Sequence, residues 1–414
     1  MTRRRVVVTG MGVVSPVGND VPAFWQSLLA GRSGVSFIRD FPIDKLRSDV
    51  SASVVDFDPG RYLGPKEADI HGRVTQFSIA AADEAVKMAG LDKPDGVALD
   101  RVGCLVSTGM GAVDIFQSQL ERSRDRGPRA VSPYFIPGVM PNAAAAVISI
   151  QYGFKGPSYN IASACATGTH SLATSAMMIE CGDADIMLAG GAESATRLDT
   201  VAGFGNARAL ARSIDGDPTK ASRPFDKRRH GFVMGEGAGV LVLEEEEHAR
   251  RRGATAFARL IGFGMTSDAS HLTRPDAEAE GLQRAIVRAL ERAEVAPENI
   301  DYINPHATST LQGDAAEIIA LRNIFGNRLA QIPMSATKSM IGHLLGGAGA
   351  VETIAVVCSL RDQLLHPSIN VDELDPAFGE LDIVRTQRSV ETNYALKCSA
   401  GFGGHNCALV LGRM

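Results

Sequence analysis

Between Gly156 and Ile179 the chain carries no Asp, Glu, Lys or Arg, although 21% of its 414 residues are charged. A helix without a charged face has to be enclosed by other protein. The stretch Ser158-Tyr-Asn-Ile-Ala-Ser-Ala-Cys-Ala-Thr-Gly-Thr-His170 predicts a buried strand over 159–163 that turns sharply into a helix over 166–179. The apolar run ends in small residues, and Leu172, Ala176 and Ile179 then resume a helical spacing. Cys165 falls at the helix N-terminus. Unpaired N–H groups and the positive end of the helix dipole favour a thiolate there, so its pKa is expected below the free value of about 8.5. A lone cysteine is more often a small core residue; only the rest of the chain can assign this one a reaction.

A second such unit follows. Ser335-Ala-Thr-Lys-Ser-Met-Ile-Gly-His343 precedes another uncharged small-residue helix over 344–351, a degenerate echo of the first. Strand and helix patterns alternate around both: strands over 6–9, 101–107, 184–189 and 237–243, then a strand over 256–262, a helix over 280–293, a strand over 300–304 and a helix over 313–325. The expectation is an internally duplicated α/β fold with two central sheets and buried helices layered between them. Residues 1–254 form the half with the cysteine and 255–414 the other. Gly10-Met-Gly12 after the first strand hints at a dinucleotide loop, but Ser15 replaces the third glycine and no ribose-binding acid stands at the usual spacing. Glu244-Glu-Glu-Glu247 reads as the solvated start of a helix, and 127–141 as a loop with Tyr134, Phe135 and Met140 among its prolines.

A net charge of −5 offers no general attraction to nucleic acid or an anionic membrane. Six cysteines without a C-x-x-C pair fit neither a disulfide framework nor a zinc site, so no metal is expected and a reducing, cytoplasmic setting is. No apolar run approaches the roughly 20 residues needed to span a bilayer, and Arg3-Arg4-Arg5 before Val6-Val7-Val8 reads as the entry to a first strand and not as a signal peptide. His306 closes the apolar run Tyr302-Ile-Asn-Pro305, and His343 opens the second small-residue helix. A single histidine is usually structural; two at such junctions, with a cysteine at a third, fit acyl transfer, in which a thiolate takes the acyl group and neutral imidazoles hold an oxyanion.

At these residues the chain resembles the β-ketoacyl-acyl carrier protein synthases of the thiolase superfamily, synthase I/II type. The motifs are Ser163-Ala-Cys-Ala-Thr-Gly168, Gly182-Asp-Ala-Asp-Ile-Met-Leu-Ala-Gly-Gly-Ala-Glu193, Ser222-Arg-Pro-Phe-Asp226, Asp314 with Glu317, and Thr337-Lys-Ser-Met-Ile-Gly-His343. The resemblance implies decarboxylative Claisen condensation. Cys165 would take an acyl chain from an acyl carrier protein, with the N–H groups of Cys165 and Phe402 as oxyanion hole, each worth ~2.7 to 4 kcal/mol. His306 and His343 would bind the malonyl thioester and stabilise the enolate, and Lys338, held by Glu317, would organise them. It also implies that Thr273, Thr308 and Thr310 bind the phosphopantetheine arm, which belongs to the carrier, so no cofactor of the chain's own is expected. Met110, Phe204 and a neighbouring subunit's Phe135 would line the acyl pocket of a homodimer.

Three departures stand out. Ala307 and Ala400 replace a glycine and an aromatic usual in the family, and Asp69 lies where basic residues often dock the carrier, leaving Lys66, Arg73 and Arg208 for that role. They motivate a second reading, the same chemistry in a type II polyketide or polyene pathway with a non-catalytic chain-length partner. A non-condensing partner subunit would need no nucleophile. A coenzyme A thiolase, with Cys398 as second cysteine, is less consistent with two separate histidines.

Overall fold

In the computed structural model, which describes residues 3–93 and 95–414, eight strands form one mixed sheet. They are β1 (Val6–Val14), β2 (Val102–Ser107), β3 (Ile186–Glu193), β4 (Gly237–Glu245), β5 (Ala258–Ser267), β6 (Tyr302–Asn304), β7 (Tyr394–Gly401) and β8 (His405–Arg413). Their spatial order is β2-β3-β4-β1-β5-β8-β7-β6. The order is a palindrome: each half contributes one parallel pair (β2 with β3, β6 with β7) and two antiparallel ones. The two expected sheets therefore exist as halves, but they are fused where Val6, Val7 and Val8 of β1 pair with β5.

Six helices matter for the site: α1 (Arg73–Met88), α2 (Val113–Arg126), α3 (Thr167–Cys181), α4 (Glu280–Ala293), α5 (Leu311–Phe325) and α6 (Ala348–Asp362). Helices α3 and α6 are the central pair and touch each other and strands of both halves. Helices α1 and α4 cover the outer faces of their own halves. The second central helix starts four residues later than the spacing predicts and carries one buried acid, Glu352. Among the described residues no helix is long and apolar enough to cross a membrane.

Gly10 and Gly12 lie inside β1 and not in a loop after it, which removes the dinucleotide reading. A Cβ at these positions would sit 2.2 Å from the Ala85 carbonyl and 1.9 Å from the Ala81 carbonyl of α1. The second half repeats the device: Gly262 and Gly264 of β5 would place a Cβ 2.1 and 2.0 Å from the carbonyls of Ala289 and Ala285 in α4. Each glycine pair thus lets a small-residue helix lie directly on a strand. Residues 159–163, expected as a buried strand, are extended and half exposed; the stretch meets β2 at the Ser158–Cys104 bridge and through the Ile161 N–H, which donates to Ser107 Oγ at 3.1 Å. Glu244 is also corrected: it is buried, and it takes Arg252, His248 and the Thr9 hydroxyl.

Gly12→Ala and Gly264→Ala should each force a strand off its helix. The expected loss is about 1–3 kcal/mol, the usual range for overpacking, seen as a lower thermal midpoint with intact secondary structure. Midpoints unchanged in both variants would remove this account of the repeated glycines.

Candidate active site

Cys165 sits in a single 3-10 turn, Ala164–Ala166, that runs into α3. Ala164 is left-handed (φ 50°), a conformation that costs a non-glycine residue roughly 1–2 kcal/mol. The turn is held by the Ser163 N–H donating to Thr167 Oγ1 at 2.9 Å. The other central helix is entered the same way: Leu345 (φ 47°) opens a 3-10 turn before α6, and Gly346 occupies the position after it. Gly346 donates its N–H to Glu193 at 3.2 Å, and the same carboxylate takes the Thr108 hydroxyl at 2.6 Å and the Gly109 N–H at 3.1 Å. Burial pushes Glu193 up to about 7 against these donors.

The end of β7 reaches the cysteine because residue 401 is glycine. A Cβ there would stand 2.7 Å from the Ser163 carbonyl and 3.2 Å from the Cys165 nitrogen. The N–H groups of Phe402 and of Cys165 itself face the sulfur and, with Lys338, favour the thiolate. Burial outweighs them and, aided by Glu193, pushes the thiol up to about 11. This reverses the expectation drawn from the helix end. A turn-end dipole within a largely dry site does not repay the lost hydration of an anion.

His306 follows β6. Its N–H and that of Ala307 donate to the two oxygens of Glu317 on α5, at 2.6 and 2.8 Å, and its carbonyl accepts from Lys338 Nζ at 2.6 Å. Ala307 is left-handed (φ 43°), so the glycine-to-alanine departure falls on a backbone that favours glycine, at a cost of about 1 kcal/mol. The carboxylate clamp holds the turn. His343 is fixed by its N–H to the Val233 carbonyl at 2.7 Å, and its Nδ1 accepts the Leu345 N–H at 3.2 Å. That bond places the ring proton on Nε2, which has no partner within the protein. The two rings lie 5.4 Å apart, edge to face. Burial first, then Lys338, holds both histidines well below the usual imidazole range.

Lys338 is not held by Glu317. It is paired with Glu352 of α6, because Glu317 is already occupied by the two backbone N–H groups. Asp314 holds the neighbouring loops, accepting the N–H of Phe225 at 2.8 Å and of Ser309 at 3.0 Å; burial pushes it up to about 7.

A cavity of about 490 Å³ opens over Cys165 and His306, and Thr273, Thr308, Thr310, Phe402, Ala400 and Arg208 line it. Phe204 packs behind it, 6.1 Å from the Phe402 ring and 5.4 Å from Phe232. Met110 and Phe135 do not line it. Met110 is exposed, and Phe135 lies on the short helix Phe135–Val139 against Phe116. Arg73 is unavailable for docking: its guanidinium is bound to Glu236 and the Val54 carbonyl and lies over Phe77. Lys66 is exposed on the helix Pro65–Ile70. Glu352 and Lys397 were missed; Lys397 is the single charge of its strand and Glu352 the single charge in the first three turns of its helix, the signal that could have found them.

A thiol facing two N–H donors beside two imidazoles is suited to acyl transfer, with the sulfur as nucleophile and the N–H groups and imidazoles as oxyanion donors. The family described as "Beta-ketoacyl synthase, N-terminal domain" matches residues 3–249, and its C-terminal domain matches residues 257–372. The chain belongs to the β-ketoacyl synthase family. A 3-oxoacyl-[acyl-carrier-protein] synthase 2 of Coxiella burnetii is 44% identical, with 100% of both chains covered. Two solved structures superpose over 100% of both chains with a TM-score of 0.92. One is the ketosynthase of a type II polyketide synthase in complex with its acyl-carrier protein and bound to the hexaketide, 31% identical; the other is the ishigamide ketosynthase/chain length factor, 34% identical.

In a Cys181→Ser background, which removes the exposed thiol, alkylation of Cys165 by iodoacetamide should still rise with pH between 8 and 10, because only the thiolate reacts. A plateau near pH 8.5 would restore the helix-end account of the thiol.

Proposed function

We propose that this chain lengthens fatty acyl chains by decarboxylative Claisen condensation on acyl carrier protein. In the first half-reaction the Cys165 sulfur attacks the acyl thioester. The new S–C bond replaces the carrier's, the thiol proton passes to the departing carrier thiolate, and the Cys165 and Phe402 N–H groups hold the oxyanion. In the second, the bond between C2 and the carboxylate of malonyl-carrier protein breaks and CO₂ leaves. His306 and His343 take the enolate oxygen, and C2 attacks the acyl-cysteine to give 3-oxoacyl-carrier protein and free Cys165. The observation that carries this reading is the fixed tautomer of His343, with its donor Nε2–H unpaired beside His306.

Thr273, Thr308 and Thr310 would bind the phosphopantetheine arm along the cavity; that arm is the carrier's, and the chain needs no cofactor of its own. Lys66 and Arg208 remain as docking cations. Tyr134, Ile136, Ile150 and Tyr159 expose an apolar face beside the open edge of residues 158–161, the surface expected of a homodimer. Phe135 on that face would then serve the partner's pocket. The polyketide alternative, with a homologous chain-length subunit on the same face, draws on the two solved structures and on Ala400 at the cavity. The higher identity to the 3-oxoacyl-[acyl-carrier-protein] synthase 2 favours the first reading.

Intact-protein mass after mixing with acyl-carrier proteins of several lengths should give an adduct that is lost in Cys165→Ala, and malonyl-carrier protein should then discharge it as a 3-oxoacyl product. An adduct persisting in Cys165→Ala, or no product from any chain, refutes the reading. Because the histidines are held neutral, decarboxylation should remain at full rate as pH falls through 6.5 and decline only below it. A loss centred on 6.5 would mean ordinary, protonatable imidazoles.

A further inference from the structure

Lys397 is completely buried in the middle of β7, between β6 and β8. Its ammonium pairs with Glu352 Oε2 at 2.8 Å, while Lys338 takes Oε1 of the same carboxylate. Lys397 also donates to the Cys398 carbonyl and to Ser399 Oγ at 3.2 Å. Ser399 in turn is 2.7 Å from Thr169 Oγ1, in the first turn of the nucleophile helix α3. One ammonium thus touches the carboxylate that seats Lys338, the strand that carries Phe402, and the hydroxyl pair tied to the Cys165 helix.

Glu352 also has a partner in Lys338, so removing Lys397 does not strand that carboxylate as an unpaired buried charge, the usual reason that breaking a buried pair is costly. Two ammoniums share one carboxylate at the floor of the site, and Glu317 is the remaining acid near them. We propose that Lys397 is a positioning residue of the condensation, a built-in second cation that through Glu352 fixes Lys338 under the His306 carbonyl. This rests on the function proposed above. The charged groups that act on the histidines are Lys338 from its short helix and Lys397 from β7; Glu317 of α5 accepts the His306 N–H, Glu352 of α6 pairs with both lysines, and Cys165 lines the same cavity as His306. Of these the two lysines are the cations, and both act against a proton on either ring.

The test compares full-length wild type with Lys397→Met and with Lys397→Gln, which keeps a donor for the Cys398 carbonyl and Ser399 should the methionine variant misfold. With one cation gone the histidines protonate more easily. The acid limb of malonyl-carrier protein decarboxylation should therefore move up by about half to one pH unit, an approximately threefold to tenfold loss at pH values below the wild-type midpoint, with little change at pH 8. Acylation of Cys165 by mass and the thermal midpoint should stay near wild type, and Lys397→Arg should retain the wild-type profile. An unchanged acid limb in both neutral variants overturns the proposal. So does a parallel loss of acylation, decarboxylation and thermal midpoint, which marks a purely structural lysine. Wild type that decarboxylates no malonyl-carrier protein at any pH overturns the function it rests on, and the proposal with it.

Discussion

The site exists because two helices approach closer than side chains normally permit. A Cβ on Gly168 of α3 would stand 3.0 Å from the Ala350 nitrogen, and one on Gly349 of α6 would stand 2.0 Å from Thr169 Oγ1. This contact draws the turn with Cys165 and the turn after His343 to one point, although they belong to opposite halves of the chain. Gly191 extends it: a Cβ there would stand 2.4 Å from the Gly346 carbonyl and 2.9 Å from the Gly168 Cα. The half-sheets, the outer helices and the paired strand glycines all serve to hold that crossing rigid. Small residues are therefore conformational requirements here, and the absence of charge from 156 to 179 follows from the same geometry.

Around the crossing lies an unusual density of buried charge: Glu193, Asp314, Glu317, Lys338, Glu352 and Lys397 are each almost inaccessible. Every one of them has a partner of opposite charge or several N–H donors. In a dry interior such groups act on their neighbours with little screening. Burial and the lysines favour neutral imidazoles, and burial favours the protonated thiol, whose proton has an acceptor in the thiolate that leaves on acyl transfer.

Much of this was legible in the residues. The uncharged stretches marked both central helices, the alternation of strands and helices marked the duplication, and Cys165, His306, His343 and Lys338 do meet. What failed did so for physical reasons. Gly10 and Gly12 looked like a loop because a helix packed on a strand leaves no mark in the strand's own sequence; the matching Gly262 and Gly264 were the available clue. Residues 159–163 are apolar enough for a core strand, yet lie at a sheet edge, which periodicity does not register. Glu317 and Glu352 are both acids on predicted or real helices near the site, and only the backbone N–H groups facing Glu317 decide which one reaches Lys338. The direction of the thiol's pKa depends on a competition between dipole and burial, and only one side of that competition is written locally.

The matched left-handed residues Ala164 and Leu345 carry a last implication. Both halves of the fold build the strained turn on which a nucleophile can stand, but the second turn has Gly346 in that place, where a Cβ would come within 2.7 Å of the Gly109 nitrogen and 2.8 Å of Glu193. The symmetry is thus broken where the chemistry would stand: Cys165 in one turn, Gly346 in the other. One copy of the turn bears the covalent chemistry and its twin has become packing for it, so each chain can hold only one growing acyl group at a time.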